Sequence, residues 1–416
     1  MPTALPQSRR PWTLMFIAVC LVAVNMRMTI TGVGPLLEEI AAHEGVTPAA
    51  LGGLASVPLI AWGLVSPLAH TLSLRLGVER AVGWSLVALG IGTVWRSLPG
   101  TPSNLWLGTA LIGAALAVGN VLLPAVIRRD FGSRIPLVMG VYTALLGGLG
   151  AVSAGVVVPI AQAFPGDGGE GWRIALLCTG ALIPPALAVW ILASRVRRAD
   201  SAAATTSTAP IPTPPPPGHG AARRIWRDPV AWTVALYMGL QSMTFYMIAT
   251  WLAPIEISGG RSAVAAGIDV MLYQFVSIGG SLLLPFLYRG PMKRWLAMFL
   301  PLAISGSFAC VVLIPGSELP WIVIGGLGSG ASLSVSLLFM AVRARNQIAA
   351  TALSGMAQAV GYLIAAAGPA AFGLAHEVSG GWGLPLALVI GIMVVQLVLG
   401  FLVGRERFVL DGPRRG

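Results

Sequence analysis

The chain has 416 residues, of which 56% are apolar and only 10% charged, too little polar surface to clothe one or two soluble domains. A net charge of +11 would suit nucleic acid if the basic residues formed one patch, but they are scattered over short gaps between apolar runs. That placement excludes a nucleic-acid partner and makes the lipid bilayer the solvent for most of the chain.

The first residues carry Arg9 and Arg10 before a long apolar run. The run is too long for a signal peptide and lacks a small-residue cleavage site, so it reads as a retained first helix. A spanning helix needs about 20 mainly apolar residues, and the pattern predicts twelve of them: 12–35, 49–71, 81–97, 104–127, 136–161, 172–194, 229–254, 262–288, 294–314, 319–341, 348–373 and 382–403. All of the 26 Lys and Arg residues except Arg27, Arg96, Arg173 and Arg261 fall in the tails or in alternate gaps on one side. The positive-inside rule puts that side, with both termini, in the cytoplasm.

Between the sixth and seventh segments, 195–228 holds the small-residue run Ser201 to Thr208 and the prolines Pro210, Pro212 and Pro214 to Pro217. Such a stretch buries no apolar area and reads as a disordered or semi-extended cytoplasmic linker. The expected fold is therefore an all-α polytopic membrane protein of twelve transmembrane helices in two six-helix bundles. Its divisions are 1–194, the Pro/Ala-rich linker 195–228, 229–404 and a cytoplasmic tail 405–416. The halves also repeat weakly: Gly113 to Arg128 in the fourth helix matches Gly328 to Arg343 in the tenth, and Thr143–Gly147 in the fifth matches Thr351–Gly355 in the eleventh. Parallel repeats of this kind are a mark of transporters. Glycines 147, 148, 150 and 155 of the fifth helix suit close packing, and the fifth and eleventh helices are expected to carry surfaces on which the halves rock.

Polar residues at membrane depth are the candidates for function. Arg27 lies about 22 Å along the first helix, inside a core roughly 30 Å thick. At a cost of about 2.5–3.5 kcal/mol it must pair, face a wet cavity or contact a substrate. Glu38 and Glu39 lie two to three turns further out, so either Arg27 contacts substrate or it bonds to backbone carbonyls or to those glutamates. Asn25, two residues away, points about 200° around the helix, and either packs against a neighbour or reaches the site because Gly32, Gly34 and Pro35 open the helix. In the second half Gln241, Gln274 and Gln358 reach similar depth, which predicts a polar midplane cavity opposite Arg27. Asn120, Tyr142, Tyr246, Tyr273 and Tyr362 are further lining candidates. Arg with amide and phenol donors suits a small planar or anionic ligand. Asp269, seven residues into the eighth helix, either carries a coupling proton or lines a watery vestibule.

No soluble catalytic constellation is present. The histidines His43, His70, His219 and His376 are scattered, the cysteines Cys20, Cys178 and Cys310 lie in separate helices, and no metal or cofactor motif occurs, so no enzyme, cofactor or metal site is expected. The run Gly325 to Gly330 looks like a dinucleotide loop but lies inside an apolar helix with no strand before it, and reads as helix packing. An intramembrane enzyme would need clustered acids, histidines or metal ligands at one depth, and a receptor-like sensor would need a signalling domain that the linker is too short to be.

These segments resemble the cyanate and nitroimidazole transporter branch of the major facilitator superfamily over nearly the whole chain outside the tails and linker. The motifs are Asn25-Met26-Arg27 with Gly34-Pro35-Leu36-Leu37; Gly119-Asn120-Val121-Leu122-Leu123-Pro124 with Arg128-Arg129-Asp130-Phe131; Gly239-Leu240-Gln241-Ser242 with Phe245-Tyr246 and Trp251-Leu252; and Leu353 to Gln358 with Gly361-Tyr362 and Gly368-Pro369. The resemblance implies a twelve-helix alternating-access transporter, and raises Gln241, Tyr246, Gln358, Tyr362 and Arg27 as cavity residues. In the superfamily the loop between helices 2 and 3 carries an Asp and several basic residues; His70 to Arg80 offers Arg75, Gly77, Glu79 and Arg80 but no Asp. The expected function is secondary transport of a small anionic or nitro-aromatic solute by a monomer, with protons as a candidate coupled ion. Efflux of amphipathic drugs is the alternative.

Overall fold

The structure is a computed structural model and describes residues 9–165, 170–204, 224–345 and 347–410. Among these there is no strand, as hydrocarbon requires of a chain that must satisfy its backbone polar groups within each segment. The helices are α1 (Arg9–Thr31), α2 (Leu37–Glu44), α3 (Pro48–Leu76), α4 (Val78–Ser97), α5 (Ser103–Asp130), α6 (Ile135–Ala163), α7 (Gly171–Cys178), α8 (Ile183–Ala204), α9 (Pro229–Ser258), α10 (Ala263–Leu287), α11 (Met292–Leu313), α12 (Glu318–Val342), α13 (Gln347–Ser379) and α14 (Gly383–Gly404). Each of the twelve expected segments is helical. Among the described residues, nine helical stretches are long and apolar enough to cross a bilayer, and α3, α4 and α9 occupy the remaining three positions.

Two of the expected helices are interrupted. Gly32, Gly34 and Pro35 end α1 at Thr31, and a 3-10 turn over Gly34–Leu36 leads into α2. The sixth segment breaks between α7 and α8, just before Pro184 and Pro185. Such breaks free carbonyls inside the membrane, and Arg96 meets one of them. Arg96, fully buried, donates Nη1 to the Thr29 carbonyl at 2.6 Å and Nη2 to Thr179 Oγ1 at 3.1 Å. Asn25 Nδ2 donates to the carbonyls of Leu21 at 2.8 Å and Leu182 at 3.1 Å. Arg96, expected near the face opposite the termini, is thus a brace inside the first bundle.

Residues 195–204, assigned by composition to the linker, instead continue α8, consistent with the high helix propensity of its alanines. The remainder of the proline-rich stretch, 205–223, and the tail beyond Leu410 lie outside the described residues.

Helices α1 to α8 pack chiefly among themselves, as α1 on α6, α4 on α5 and α3 on α5. Helices α9 to α14 do the same, as α9 on α13, α10 on α12 and α11 on α14. The two sets meet where α3 lies along α13 and α6 along α10. The glycine run of α12 is packing surface: a Cβ at Gly326 would stand 2.7 Å from the Tyr273 carbonyl of α10, and one at Gly330 would overlap that of Ser277. Outward-facing Leu64, Leu68, Leu282 and Phe286 are exposed, as expected of surfaces solvated by lipid.

The sets are sealed together at the end away from the termini. There Gly34 meets the Ala249 carbonyl of α9, where a Cβ would come to 2.8 Å, Gly52 of α3 meets that of Pro369, and Gly267 of α10 meets that of Ala154. Thr47 Oγ1 donates to Glu377 at 3.1 Å. Down one glycine face of α6 the contact then thins. A Cβ at Gly155 would meet Met271 at 2.6 Å and one at Gly147 would meet Ile278 at 3.1 Å, while one at Gly140 would find nothing within 4 Å. The sets part toward the end that carries the termini.

Candidate substrate site

Arg27 projects from the last two turns of α1 into the seam between the two sets. Its guanidinium carbon stands 5.9 Å from the centre of the Phe245 ring in α9, at the outer limit of a cation–π contact, and its Cβ faces Gly150 of α6, where a methyl would come to 3.0 Å. The phenols of Tyr142 (α6), Tyr246 (α9) and Tyr362 (α13) are within electrostatic range of the same guanidinium. Trp62 of α3 stands edge-on to Tyr362 at 5.2 Å and to Tyr246 at 6.3 Å. One cation is therefore ringed by aromatic side chains from both halves. Among the described residues no carboxylate lies within ion-pair distance of Arg27. Glu39 accepts from the Trp172 amide and Glu44 pairs with Arg173 at 2.5 Å, so neither neutralises it. The buried Trp62 Nε1–H also has no acceptor. The cluster offers donors and no acid.

Of the residues expected there, the structure gathers Arg27, Tyr142, Tyr246 and Tyr362. Tyr142 is buried, with its hydroxyl 4.0 Å from Met26 Sδ. Asn25 does not join them: it is fully buried on the far side of α1, bonded to Leu21 and Leu182, as the 100° of rotation per residue dictates. The three glutamines do not converge on Arg27 through any described hydrogen bond. Gln358 Nε2 donates to Ser354 Oγ on its own helix at 2.8 Å, Gln241 Oε1 accepts from Ser242 at 3.3 Å, and Gln274 is buried in α10 with Nε2 unpartnered. Asn120 is half-buried on α5. Asp269 lines no vestibule: it is 4% exposed and its Oδ2 lies 2.5 Å from Arg261 Nη2.

Trp62 and Phe245 are functional candidates that the sequence alone did not single out as lining. An aromatic residue in an apolar helix carries no sign of whether it faces lipid, core or cavity, and only the crossing of α3 with α13 places Trp62 beside the tyrosines. At the end bearing the termini, Glu79 of α4, the acid that the His70–Arg80 stretch offers, pairs with Arg129 at 2.8 Å and with Arg197, while Arg197 also reaches Asp130 at 3.3 Å. This network ties α4, α5 and α8 together.

Two helical sets sealed at one end, parted at the other and joined around a polar cluster are the architecture of a membrane transporter. The sequence pattern of the Major Facilitator Superfamily matches residues 15–369, and the chain belongs to that superfamily. It is 36% identical to the 2-nitroimidazole transporter of Escherichia coli (strain K12) over 390 residues, 94% of this chain and 95% of that one. It is also 27% identical to the cyanate transport protein CynX of the same organism, over 92% of this chain and 96% of the relative. Both lie in the branch whose motifs the sequence resembles. Among solved structures, a bacterial homolog of the human lysosomal transporter Spinster, in an inward-facing and unoccupied conformation, superposes with a TM-score of 0.79 at 16% identity, covering 97% of this chain and 100% of that one. The protein is a transporter and not an enzyme.

Proposed function

We propose that this transporter moves a small, flat solute that is anionic or bears a nitro group, across a bacterial inner membrane with both termini in the cytoplasm. The observation that carries the reading is the Arg27 cluster: a guanidinium with no carboxylate partner, an unpartnered indole N–H at Trp62 and a wall of Phe245, Tyr142, Tyr246 and Tyr362. A fork of N–H groups matches the paired oxygens of a nitro group or carboxylate, and the rings offer faces to a planar body. The names of the E. coli relatives, one for a 2-nitroimidazole and one for cyanate, are consistent with that chemistry. With the termini in the cytoplasm, the parted end opens inward.

Charge sets the direction for an anion. Inward movement of one negative charge costs about 2.3 kcal/mol per 100 mV of inside-negative potential, so uptake needs at least one co-transported proton, whereas export does not. A neutral nitro-azole is free of this constraint.

The test is the melting temperature of the detergent-purified protein, wild type and Arg27→Gln, against a panel of small anions and neutral nitro-azoles, since a ligand that binds only the folded state raises it. We expect one compound class to raise it by several degrees in the wild type and not in Arg27→Gln. A shift retained in Arg27→Gln would make that residue structural. No shift across the panel, with a shift for bulky amphipathic cations, would favour drug efflux.

A further inference from the structure

At the sealed end, inside the second half, the structure holds three carboxylates around one cation. Arg261, in the turn between α9 and α10, places Nη2 2.5 Å from Asp269 Oδ2, Nη1 3.6 Å from Glu318 Oε2 and Nε 3.9 Å from Glu256 Oε2. Glu318, at the start of α12, is further satisfied by the Gly316 amide at 2.6 Å. Glu256 is not satisfied. It is 4% exposed, and neither of its carboxylate oxygens accepts a hydrogen bond from any donor among the described residues. Asp269, also 4% exposed, shares the same guanidinium, so the two buried carboxylates lie side by side on Arg261.

Three carboxylates whose side chains are at most 12% exposed share one guanidinium, which lies nearest Asp269, so full ionisation would leave buried negative charge unpaired. One proton on the two most buried acids removes that excess. We propose that Glu256 and Asp269 share one proton, and that this pair is the proton-binding site the transporter loads from the outer side. The pair lies directly behind the seal. Gly267, two residues before Asp269, packs on the Ala154 carbonyl of the first half, and Ala249 and Thr250, less than two turns before Glu256, pack on Gly34. Arg261, whose side chain is 35% exposed, covers the pair from the aqueous side. Opening of this end uncovers the pair, and closure buries it in the form that carries no excess negative charge.

The charged groups facing the pair are Arg261 and Glu318. The 3-10 turn Gly34–Leu36 and the Ala154 stretch of α6 that pack against this end carry no titratable side chain at the contact. Other ionisable groups at this end are engaged elsewhere: Glu39 with the Trp172 amide, Glu44 with Arg173, Glu377 with Thr47, and Glu38 within electrostatic range of His376, whose Nδ1 faces the Gly381 carbonyl.

Use of this proton in transport rests on the transport reading above, but its presence does not depend on the solute. The experiment is infrared spectroscopy of the full-length purified protein in sodium-free buffer at about neutral pH, with a pH series of melting temperatures beside it. We expect a protonated-carboxyl band in the wild type that is lost in Glu256→Gln, in which Asp269 keeps its Arg261 partner as an ordinary ion pair. The folded wild type should bind a proton that the separated carboxyls of the unfolded chain release, so its melting temperature should fall as pH rises above about 5. In Glu256→Gln that fall should be smaller. Absence of the band from the wild type overturns the proposal without recourse to any variant, as does a band that persists in Glu256→Gln. A band removed by sodium chloride but not by choline chloride would make the pair a metal-cation site and overturn its assignment to a proton. Because no solute enters the experiment, its failure is separate from failure of the ligand panel.

Discussion

Arg27 and Asn25 stand two residues apart and do opposite things. Arg27 points into the seam, where its guanidinium is left with aromatic rings and no acid; Asn25 points into the first bundle and ties α1 to the Leu182 carbonyl just before α8. Replacement of Asn25 by Ala is expected to lower stability by about 1 kcal/mol, the scale of side-chain hydrogen bonds in membrane bundles. It should leave any ligand-induced shift in melting temperature unchanged, whereas Arg27→Gln should abolish the shift and cost less stability. Measured on the same ligand panel, the two variants separate a bracing residue from a binding one. A loss of ligand response in Asn25→Ala would return that residue to the site.

At the scale of elements, glycines decide how closely the halves approach. Gly34 lets the turn after α1 lie against the backbone of α9, where a Cβ would stand 2.8 Å from a carbonyl oxygen that cannot move aside as a flexible side chain would. Gly34→Val is therefore expected to loosen the sealed end. The expected readout is an increase in the labelling rate of a cysteine placed at Thr250, in a background without Cys20, Cys178 and Cys310; an unchanged rate would mean that the seal is held elsewhere. The same contacts refine the idea of rocking surfaces on the fifth and eleventh spanning helices. Each packs against the opposite half as extensively as against its own, α6 on α10 and α13 on α3, so sliding between the halves would run along those two seams.

For the whole molecule, the sealed end and the parted end predict unequal effects of cross-linking. Thr47 of the first half and Glu377 of the second are hydrogen-bonded across the seal at 3.1 Å. A short bis-methanethiosulfonate cross-link between Thr47→Cys and Glu377→Cys should hold the protein with this end closed and stop turnover reversibly, with transport restored by reductant. Transport that continues through the cross-link would exclude opening at this end from the cycle. The proposed proton pair behind the same seal gives the pH dependence a location: raising pH should strip the pair and weaken the closed form before it touches the Arg27 cluster.

Much of this architecture is legible in one dimension. The length of an apolar run is a local property that the thickness of the bilayer reads directly, and the side of each basic gap follows from charge counting. Hence the sequence by itself determined the twelve helical segments, the membrane as solvent, and Arg27 as a cation too deep to be idle. What it could not determine is azimuth and neighbourhood. A helix turns 100° per residue, and the breaks at Gly34 and before Pro184 reset that phase, so the faces of Asn25, Gln241, Gln274 and Gln358 had to be seen. Trp62 joined the tyrosines only because α3 crosses α13. Glu256 was left in a loop by a boundary drawn at 254, but α9 runs to Ser258 and brings that carboxylate to Arg261 beside Asp269, a grouping made by the tertiary packing of α9 against α10 rather than by any spacing along the chain.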